Sequence, residues 1–429
     1  MNIRYIGLSG EVYYVDEKKL AKGGEGSVHV IENHPGLVAK IFKADRRTPE
    51  REKKLSLMVK AEIDEEQLQQ ITWPRDVIYE VDHEEKKFVG YVMSKLNRTD
   101  SLNEIYSSNG KQYDLRYRLL AAFNLCAAVQ TVHEMGQVCG DLNPQNICIN
   151  LDLSDRENAC QITLVDTDSY HFTSGDETYR CEVGLADYIA PELQSKMTNG
   201  LDLKNAPLPT YTKETDLFAV AVHIYTLLMN GCHPFACAKE TNGFWKDTMK
   251  QASGGTIESV VAPQPIENVR DGFFPVFDSK PGVTCPVYAP EFEYLPQKLR
   301  YLFIKSFVGG YYDPAQRVGT QEWMDELQKI RKDICCCNVD LSHYYFSQNT
   351  ECPLCKVNER MNDLIQPNRE FITKGTRDMV LENKEQKKKV EEKEPEGKEM
   401  DTIEFITGLF LVTILSVVLL VAIAAGVSG

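Results

Sequence analysis

The sequence predicts an α+β protein of two unequal lobes, a small β-rich part and then a larger helical part, followed by a short Cys/His module and an apolar helix. Three patterns predict it. The runs EVYYV near residue 11, SVHVI at 27–31, LVAKIF at 37–42 and KFVGYVM at 87–93 are short and rich in β-branched and aromatic residues, as strands are. From Tyr113 onward the spacing becomes helical, with apolar residues recurring at i, i+3 and i+4 through LRYRLLAAFNLCAAVQTVHEM. Beyond residue 333 the composition changes twice, first to a Cys/His-rich island over 335–355 and later to an uncharged run from Phe405 to Val427.

Within the β-rich part a helix is expected over Pro49–Val59, with Glu52, Leu55 and Val59 on one face. Later helices are expected at Thr215–Met229, Leu295–Phe307 and Gln321–Asp333. Residues 378–402, containing KEQKKKVEEKEPEGKEM, read as a solvated linker. The run FITGLFLVTILSVVLLVAIAAGV is long enough for the roughly 20 apolar residues that a membrane-spanning helix needs. Lys387, Lys388, Lys389, Lys393 and Lys398 all precede it, so residues 404–427 are expected to be a C-terminal transmembrane anchor with the body of the protein in the cytoplasm.

Composition narrows the function classes. With 42% hydrophobic and 26% charged residues the chain is globular rather than disordered. A net charge of −15 argues against wrapping nucleic acid, which calls for a basic face. Thirteen cysteines, an odd number scattered over a long chain, point to a reducing compartment rather than a disulfide scaffold. No charged-then-apolar leader precedes Ile6, so no secretory signal is expected.

Several segments carry chemistry. LAKGGEGSV at Leu20–Val28 lies between two strand-like runs; its glycines let backbone approach a polyphosphate, although a glycine hairpin turn has the same look. Lys40 sits in the apolar strand LVAKIF, where an ammonium needs an anion unless it faces solvent. Glu52 is the candidate partner and Glu50 a less well placed one. VCGDLNPQNICIN then holds Asp141 and Asn146, ITLVDTDSY delivers Asp166 at the end of an apolar strand, and GLADYIAPEL carries Ala190, Pro191 and Glu192 ahead of a helix opening at TDLFAV.

This ordered set, over residues from about 10 to 333, resembles the protein kinase superfamily. It is most similar to atypical bacterial kinases with Gly-Asp-x-Asn-Pro-x-Asn, Asp-Thr-Asp-Ser and a C-terminal Cys/His module. The resemblance implies a two-lobed protein-kinase-like fold over 1–333, with an N-lobe to about 95 and a C-lobe over 96–333. It also implies dependence on ATP and Mg²⁺. Gly23, Gly24 and Gly26 would fold over the phosphates, with Val28 closing that loop, and Lys40, held by Glu52, would reach the α/β-phosphates. Asn146 and Asp166 would ligate Mg²⁺, and Asp141 would accept the proton of the substrate hydroxyl. Arg317 in DPAQR would pair with Glu192.

The chain departs from the family pattern in places. Ala21 stands for the first loop glycine and Val38 for the usual small residue above adenine. Cys139-Gly140-Asp141 replaces His-Arg-Asp, which predicts that activity does not depend on a loop phosphate clamped beside Asp141. Asn143 replaces a lysine, and Thr167 and Asp168 stand where Phe and Gly belong, so Asp168 either restricts that segment or adds a metal-facing carboxylate. Thr173, Ser174, Thr178 and Tyr179 are candidate autophosphorylation sites, whereas His133, His223 and the three tryptophans read as packing residues.

Cys337, His343, Cys352 and Cys355, in a module spanning 334–360, form a candidate Cys₃His zinc set. Cys335 and Cys336 compete with Cys337 for the first place, and the Cys-x₅-His spacing of the resembling kinases selects Cys337. A charged linker over 361–403 follows. The resemblance implies a membrane-anchored Ser/Thr protein kinase acting on protein substrates in a signalling or stress-response module. Its implied partners are a PP2C-like phosphatase and a von Willebrand A-type domain protein, with no nucleic acid. The alternatives are a pseudokinase scaffold that binds nucleotide without transfer and a small-molecule kinase, the latter disfavoured by the Ala-Pro-Glu segment and its arginine.

Overall fold

The computed structural model describes residues 2–82, 85–96, 100–106, 113–194, 204, 210–239 and 262–363. Six antiparallel strands, β1 (Asn2–Gly7), β2 (Val12–Lys22), β3 (Gly26–Ile31), β4 (Leu37–Phe42), β5 (Pro74–Asp82) and β6 (Glu85–Ser94), close into a barrel in the order β1-β2-β3-β4-β6-β5. Closure comes from Ile6 and Gly7 of β1 pairing with Tyr79 and Ile78 of β5. Buried Asp76 ties the joint by accepting hydrogen bonds from Tyr13 Oη at 3.0 Å and the Ser9 amide at 3.2 Å. Gly7 is required there, because a Cβ would lie 2.0 Å from the Asp76 carboxylate. Tyr5, Val15, Ile31, Ala39, Ile78 and Val92 fill the barrel as a core of their own. The sequence reading lacks β5, whose PRDVIYEVD opens on proline and carries charges on both faces.

Helix α1 (Pro49–Val59) follows β4, with Thr48 capping it through the Arg51 amide. In the helical part the long helix Leu115–Glu134 is capped by Asp114, and Lys213–Leu228 starts with a capping box of Thr212 and Thr215. Lys213–Leu228 is buried on nearly every side, and Tyr225 packs edge-on against Phe303 at 5.1 Å in an aromatic core that includes Phe274 and Phe307. The helices Gln297–Ile304 and Thr320–Ile330 begin within two residues of the expected positions. A three-stranded sheet of Asp100–Ser101, Ile147–Ile149 and Ile162–Leu164 carries the segments on which the site is built. It is joined to the chain just before β5 by the Thr72 amide donating to Leu164 O at 2.9 Å.

The Cys/His module is the hairpin Ile334–Cys336 and Tyr344–Phe346 with a helix over 353–363. It packs on the helical part: Phe346 lies 5.3 Å from Tyr294, the Arg116 guanidinium sits 3.8 Å over the Tyr344 ring, and Asn349 Nδ2 donates to Tyr294 O at 3.0 Å. Residues Met1–Asn362 accordingly form one compact unit. The expected linker over 361–403 lies almost wholly, and the transmembrane segment over 404–427 entirely, outside the described residues. Among the described residues no helix is long and apolar enough to cross a membrane.

Candidate active site

Four of the predicted polar residues meet where the barrel joins the helical part. β4 presents Lys40, only 8% exposed, and its Nζ contacts Asp166 and lies 2.7 Å from Asp168 Oδ1. Asp166 follows the strand Ile162–Leu164 in a left-handed conformation with φ of 61°, and its side chain stays 34% exposed. The preceding Val165 amide donates to Asn146 O at 2.9 Å. Asn146 Nδ2 in turn donates to Asp141 Oδ2 at 3.1 Å and to Asp141 O at 3.0 Å. Lys40 thus contacts Asp166, Asn146 contacts Asp141, and the Val165 backbone joins the two pairs.

Asn143, which stands for the family lysine, donates from Nδ2 to Asp141 Oδ1 at 2.9 Å, while its Oδ1 receives the Gln145 amide at 2.9 Å. It therefore braces the loop that aims Asp141. Asp216 anchors the same loop from the start of Lys213–Leu228, accepting from the amides of Cys139 at 2.8 Å and Gly140 at 2.9 Å and bonding His133 Nε2 at 2.9 Å. His133 and His223 are satisfied packing residues as expected, His223 being bonded to Tyr106 Oη at 2.6 Å and Leu142 O at 2.7 Å. Arg317 and Glu192 form the expected ion pair, and it is bidentate, at 2.7 and 2.6 Å.

The electrostatics follow from burial among opposite charges. Burial works against the charge of Lys40, but the carboxylates of Asp168 and Asp166 outweigh it and hold the ammonium above the ordinary lysine range. Asp166 is pushed up by burial and by its neighbour Asp168. Asp168 resists burial and is held down by Lys40 and by the Tyr91 hydroxyl.

The expected pairing of Lys40 with Glu52 is not present. Glu52 Oε1 accepts from Tyr79 Oη at 2.9 Å, on the β5 side of α1. The face of α1 turned to the site carries Arg51, Lys54, Leu55 and Met58, at the i, i+3, i+4 and i+7 positions. Arg51 lies 4.6 Å over Phe42 and bonds Glu25 of the Gly-rich turn at 2.8 Å. Lys54 is buried, with a pKa lowered by that burial to about 8. Tyr91, Arg51 and Lys54 escaped the sequence reading; the alternative helical face of α1 was the signal available for the last two.

The Gly-rich turn joins β2 to β3 and is tied down by the Gly23 amide donating to Gly26 O at 2.9 Å and by Lys43 Nζ contacting Gly24 O. Gly26 is packed on β4, where a Cβ would lie 2.3 Å from Ile41 O, whereas Gly24 has open space around it. Val28 pairs with Lys40 across the β3–β4 ladder, which places the turn on the same sheet as the lysine. A cavity of about 310 Å³ opens in the mouth of the barrel, lined by residues including Tyr5, Lys19, His29 and Arg47, and it borders none of Lys40, Asp141, Asn146 and Asp166.

A model of the protein kinase domain matches residues 14–326. The chain belongs to the protein kinase family. The chain is 25% identical over 388 residues to the Protein kinase YegI of Escherichia coli K12, covering 87% of this chain and 53% of that protein. Against the O157:H7 form of YegI the identity is 25% over 356 residues, covering 80% and 49%. Calcium-dependent protein kinase 21 of Arabidopsis thaliana is 31% identical over 137 residues, 32% of this chain and 22% of its own. The chain spans about half the length of the two YegI relatives. Membership implies ATP and Mg²⁺, and the donors fit: Asp166 offers a carboxylate, and Asn146, with Nδ2 engaged by Asp141, has its Oδ1 left to serve a hard cation.

A second constellation lies in the Cys/His module. The ligand atoms of Cys337, His343, Cys352 and Cys355 all fall within 4.8 Å of one another. Cys337 Sγ is 3.7 Å from Cys355 Sγ, and His343 Nδ1 is 3.6 and 3.5 Å from the sulfurs of Cys352 and Cys355. Ligands about 2.3 Å from a tetrahedral ion are separated by about 3.8 Å, so the spacing suits a closed four-ligand site. Of the three adjacent cysteines it is Cys337 whose sulfur lies in this group, while Cys336 Sγ is 3.6 Å from Leu341 O. His343 Nε2 lies 3.4 Å from Asp340, the kind of outer contact that leaves Nδ1 to a metal.

Proposed function

We propose that this kinase transfers the γ-phosphate of ATP to Ser or Thr hydroxyls of protein substrates. The observation that carries the reading is the linked set Lys40, Asp166, Asn146 and Asp141. Mg²⁺, held by Asp166 and Asn146, supplies charge neutralisation for the phosphates. Lys40 binds the α/β-phosphate oxygens, and the Gly23–Gly26 turn covers them with backbone amides. Asp141, oriented by Asn143 and Asn146, accepts a hydrogen bond from the substrate hydroxyl at one carboxylate oxygen and takes its proton as the new bond to the γ-phosphorus forms and that phosphorus parts from the β–γ bridging oxygen, releasing ADP.

The Cys₃His set is read as a structural zinc site that fastens the module to the helical part. Phe405–Val427 is read as a membrane anchor, with the lysines before it keeping the catalytic part on the cytoplasmic side. A signalling role with a PP2C-like phosphatase and a von Willebrand A-type domain protein is the corresponding family expectation.

Incubating the 429-residue chain with labelled ATP, Mg²⁺ and Ser/Thr peptides, beside Asp141→Asn and Lys40→Met, tests the reading. Incorporation lost in both variants, with phosphoserine or phosphothreonine as product, is expected. Nucleotide binding without transfer to itself or to peptides would leave the scaffold alternative standing. Carbonate-resistant membrane retention that disappears on removing residues 404–427 checks the anchor.

A further inference from the structure

We propose that Asp168, not an acid of α1, is the positioning residue that holds Lys40 for nucleotide binding. The inference rests on the phosphoryl-transfer reading above and refines it. Asp168 Oδ1 lies 2.7 Å from Lys40 Nζ and also accepts from Tyr91 Oη at 2.7 Å. Its side chain is 1% exposed, whereas that of Asp166 is 34% exposed. Of the two carboxylates on Lys40, the exposed one is therefore able to turn to a cation while the enclosed one stays.

Three features fix the enclosed carboxylate. Asp168 sits in the short turn Thr167–Ser169, pinned by Thr167 Oγ1 donating to Thr72 O at 2.7 Å and Ser169 Oγ donating to Asp166 O at 2.8 Å. Tyr91 is the cross-strand partner of Lys40, so the same β4–β6 pair supplies both groups that contact Asp168. Gly90 lets the strands come this close, since a Cβ there would lie 1.9 Å from Lys40 O. Meanwhile α1 turns the cations Arg51 and Lys54 to the site and sends Glu52 to Tyr79, so it has no acid in position to serve Lys40. Asp168 Oδ2 is buried without a hydrogen-bond partner, which leaves it able to receive a second contact from the ammonium as Asp166 turns away.

The consequence is a lysine whose placement travels with the metal-binding segment and is independent of how α1 sits. A competing role for Asp168 is a second magnesium ligand, and the two separate when magnesium is withheld. Binding of a fluorescent ADP without magnesium is expected to weaken roughly tenfold in Asp168→Asn and in Lys40→Met, with the double variant no weaker than either alone. Turnover of Asp168→Asn is expected to stay low as magnesium is raised, and Glu52→Gln to change neither quantity more than about twofold. Unchanged or tighter magnesium-free binding in Asp168→Asn, turnover rescued by magnesium, or a loss in Glu52→Gln equal to that of Asp168→Asn overturns the assignment. Should Asp168→Asn fail to fold, Tyr91→Phe removes only the hydroxyl tether. It is then expected to weaken the same binding about three- to tenfold, and wild-type affinity in it counts against the proposal. A wild-type chain that binds ADP but phosphorylates nothing would sink the transfer reading and leave the binding arm decisive.

Discussion

A Cβ added to Gly140 would lie 2.8 Å from both Cβ and Sγ of Cys181. Gly140 also has φ of 76°, a conformation that side chains disfavour. The volume next to the catalytic loop is thus filled by the segment between Asp166 and Ala190, which is held by Cys181 Sγ against Val183 O at 3.2 Å and Tyr211 Oη donating to Val183 O at 3.0 Å. Gly140→Ala is expected to displace that segment and lower kcat roughly five- to 150-fold, for strain of about 1–3 kcal/mol, while ADP affinity stays within about twofold. Steady-state kinetics beside ADP titration check the split. Phosphatase treatment of the wild-type chain is expected to leave its turnover unchanged, because packing does the holding.

The Arg317–Glu192 pair should be a stability element. The Arg317 side chain is wholly buried and also donates to Glu214 O and Gly310 O, both at 2.9 Å. Arg317→Met strands the Glu192 carboxylate, whose side chain is 22% exposed, and two carbonyl acceptors, so it is expected to cost about 3 kcal/mol in urea unfolding, the lower end of the range for a buried pair. The double variant with Glu192→Leu should cost clearly less than the sum of the single ones.

Lys54 predicts a pH dependence. Its pKa falls from the ordinary 10.5 to about 8 in the folded protein because burial opposes the charge. The unfolded chain therefore holds the extra proton between about pH 8 and 10.5, and stability rises with pH through that window. Below it both states are protonated and the full cost of the buried ammonium remains. Lys54→Met should then be more stable than wild type at about pH 7, by on the order of 3 kcal/mol, with the gap closing toward about pH 10.5. Denaturant unfolding of both proteins across that range reads the difference.

The Cys₃His site predicts metal content. The purified chain should carry about one equivalent of zinc, and Cys352→Ser should lose it. Because the module's hairpin packs on Tyr294 and Arg116, loss of metal should lower the melting temperature of the catalytic part as well. A metal-free wild-type chain with an unchanged melting temperature would remove the site.

Much of this arrangement was legible in the sequence, because the chemistry sits on short segments with distinctive spacing. Asp141 and Asn146 lie on one loop, Asp166 follows an apolar strand, and the Val165 amide ties that strand end to the loop. Glu52 failed for a geometric reason. Glu52 and Arg51 are about 100° apart on a helix, and either choice gives α1 an amphipathic pattern, so spacing alone did not settle which residue faces inward. Asp168 was visible only as a departure, since its role depends on Tyr91 and Lys40 arriving from strands far away in sequence. The closing of β1 on β5 was hidden likewise, being a long-range pairing secured by Asp76, a charged residue that pattern reading assigns to solvent.

That closed six-stranded ring bears on how partners can approach. An open sheet offers a row of bare amides and carbonyls on which another chain can lay a strand, and a sheet joined end to end withholds it. Where Ile6 and Gly7 meet Tyr79 and Ile78, a partner of the small lobe is left with side chains to grip. Cutting away Asn2–Gly7 would bare β2 and β5 together, turning a self-contained module into one prone to stick to its own copies.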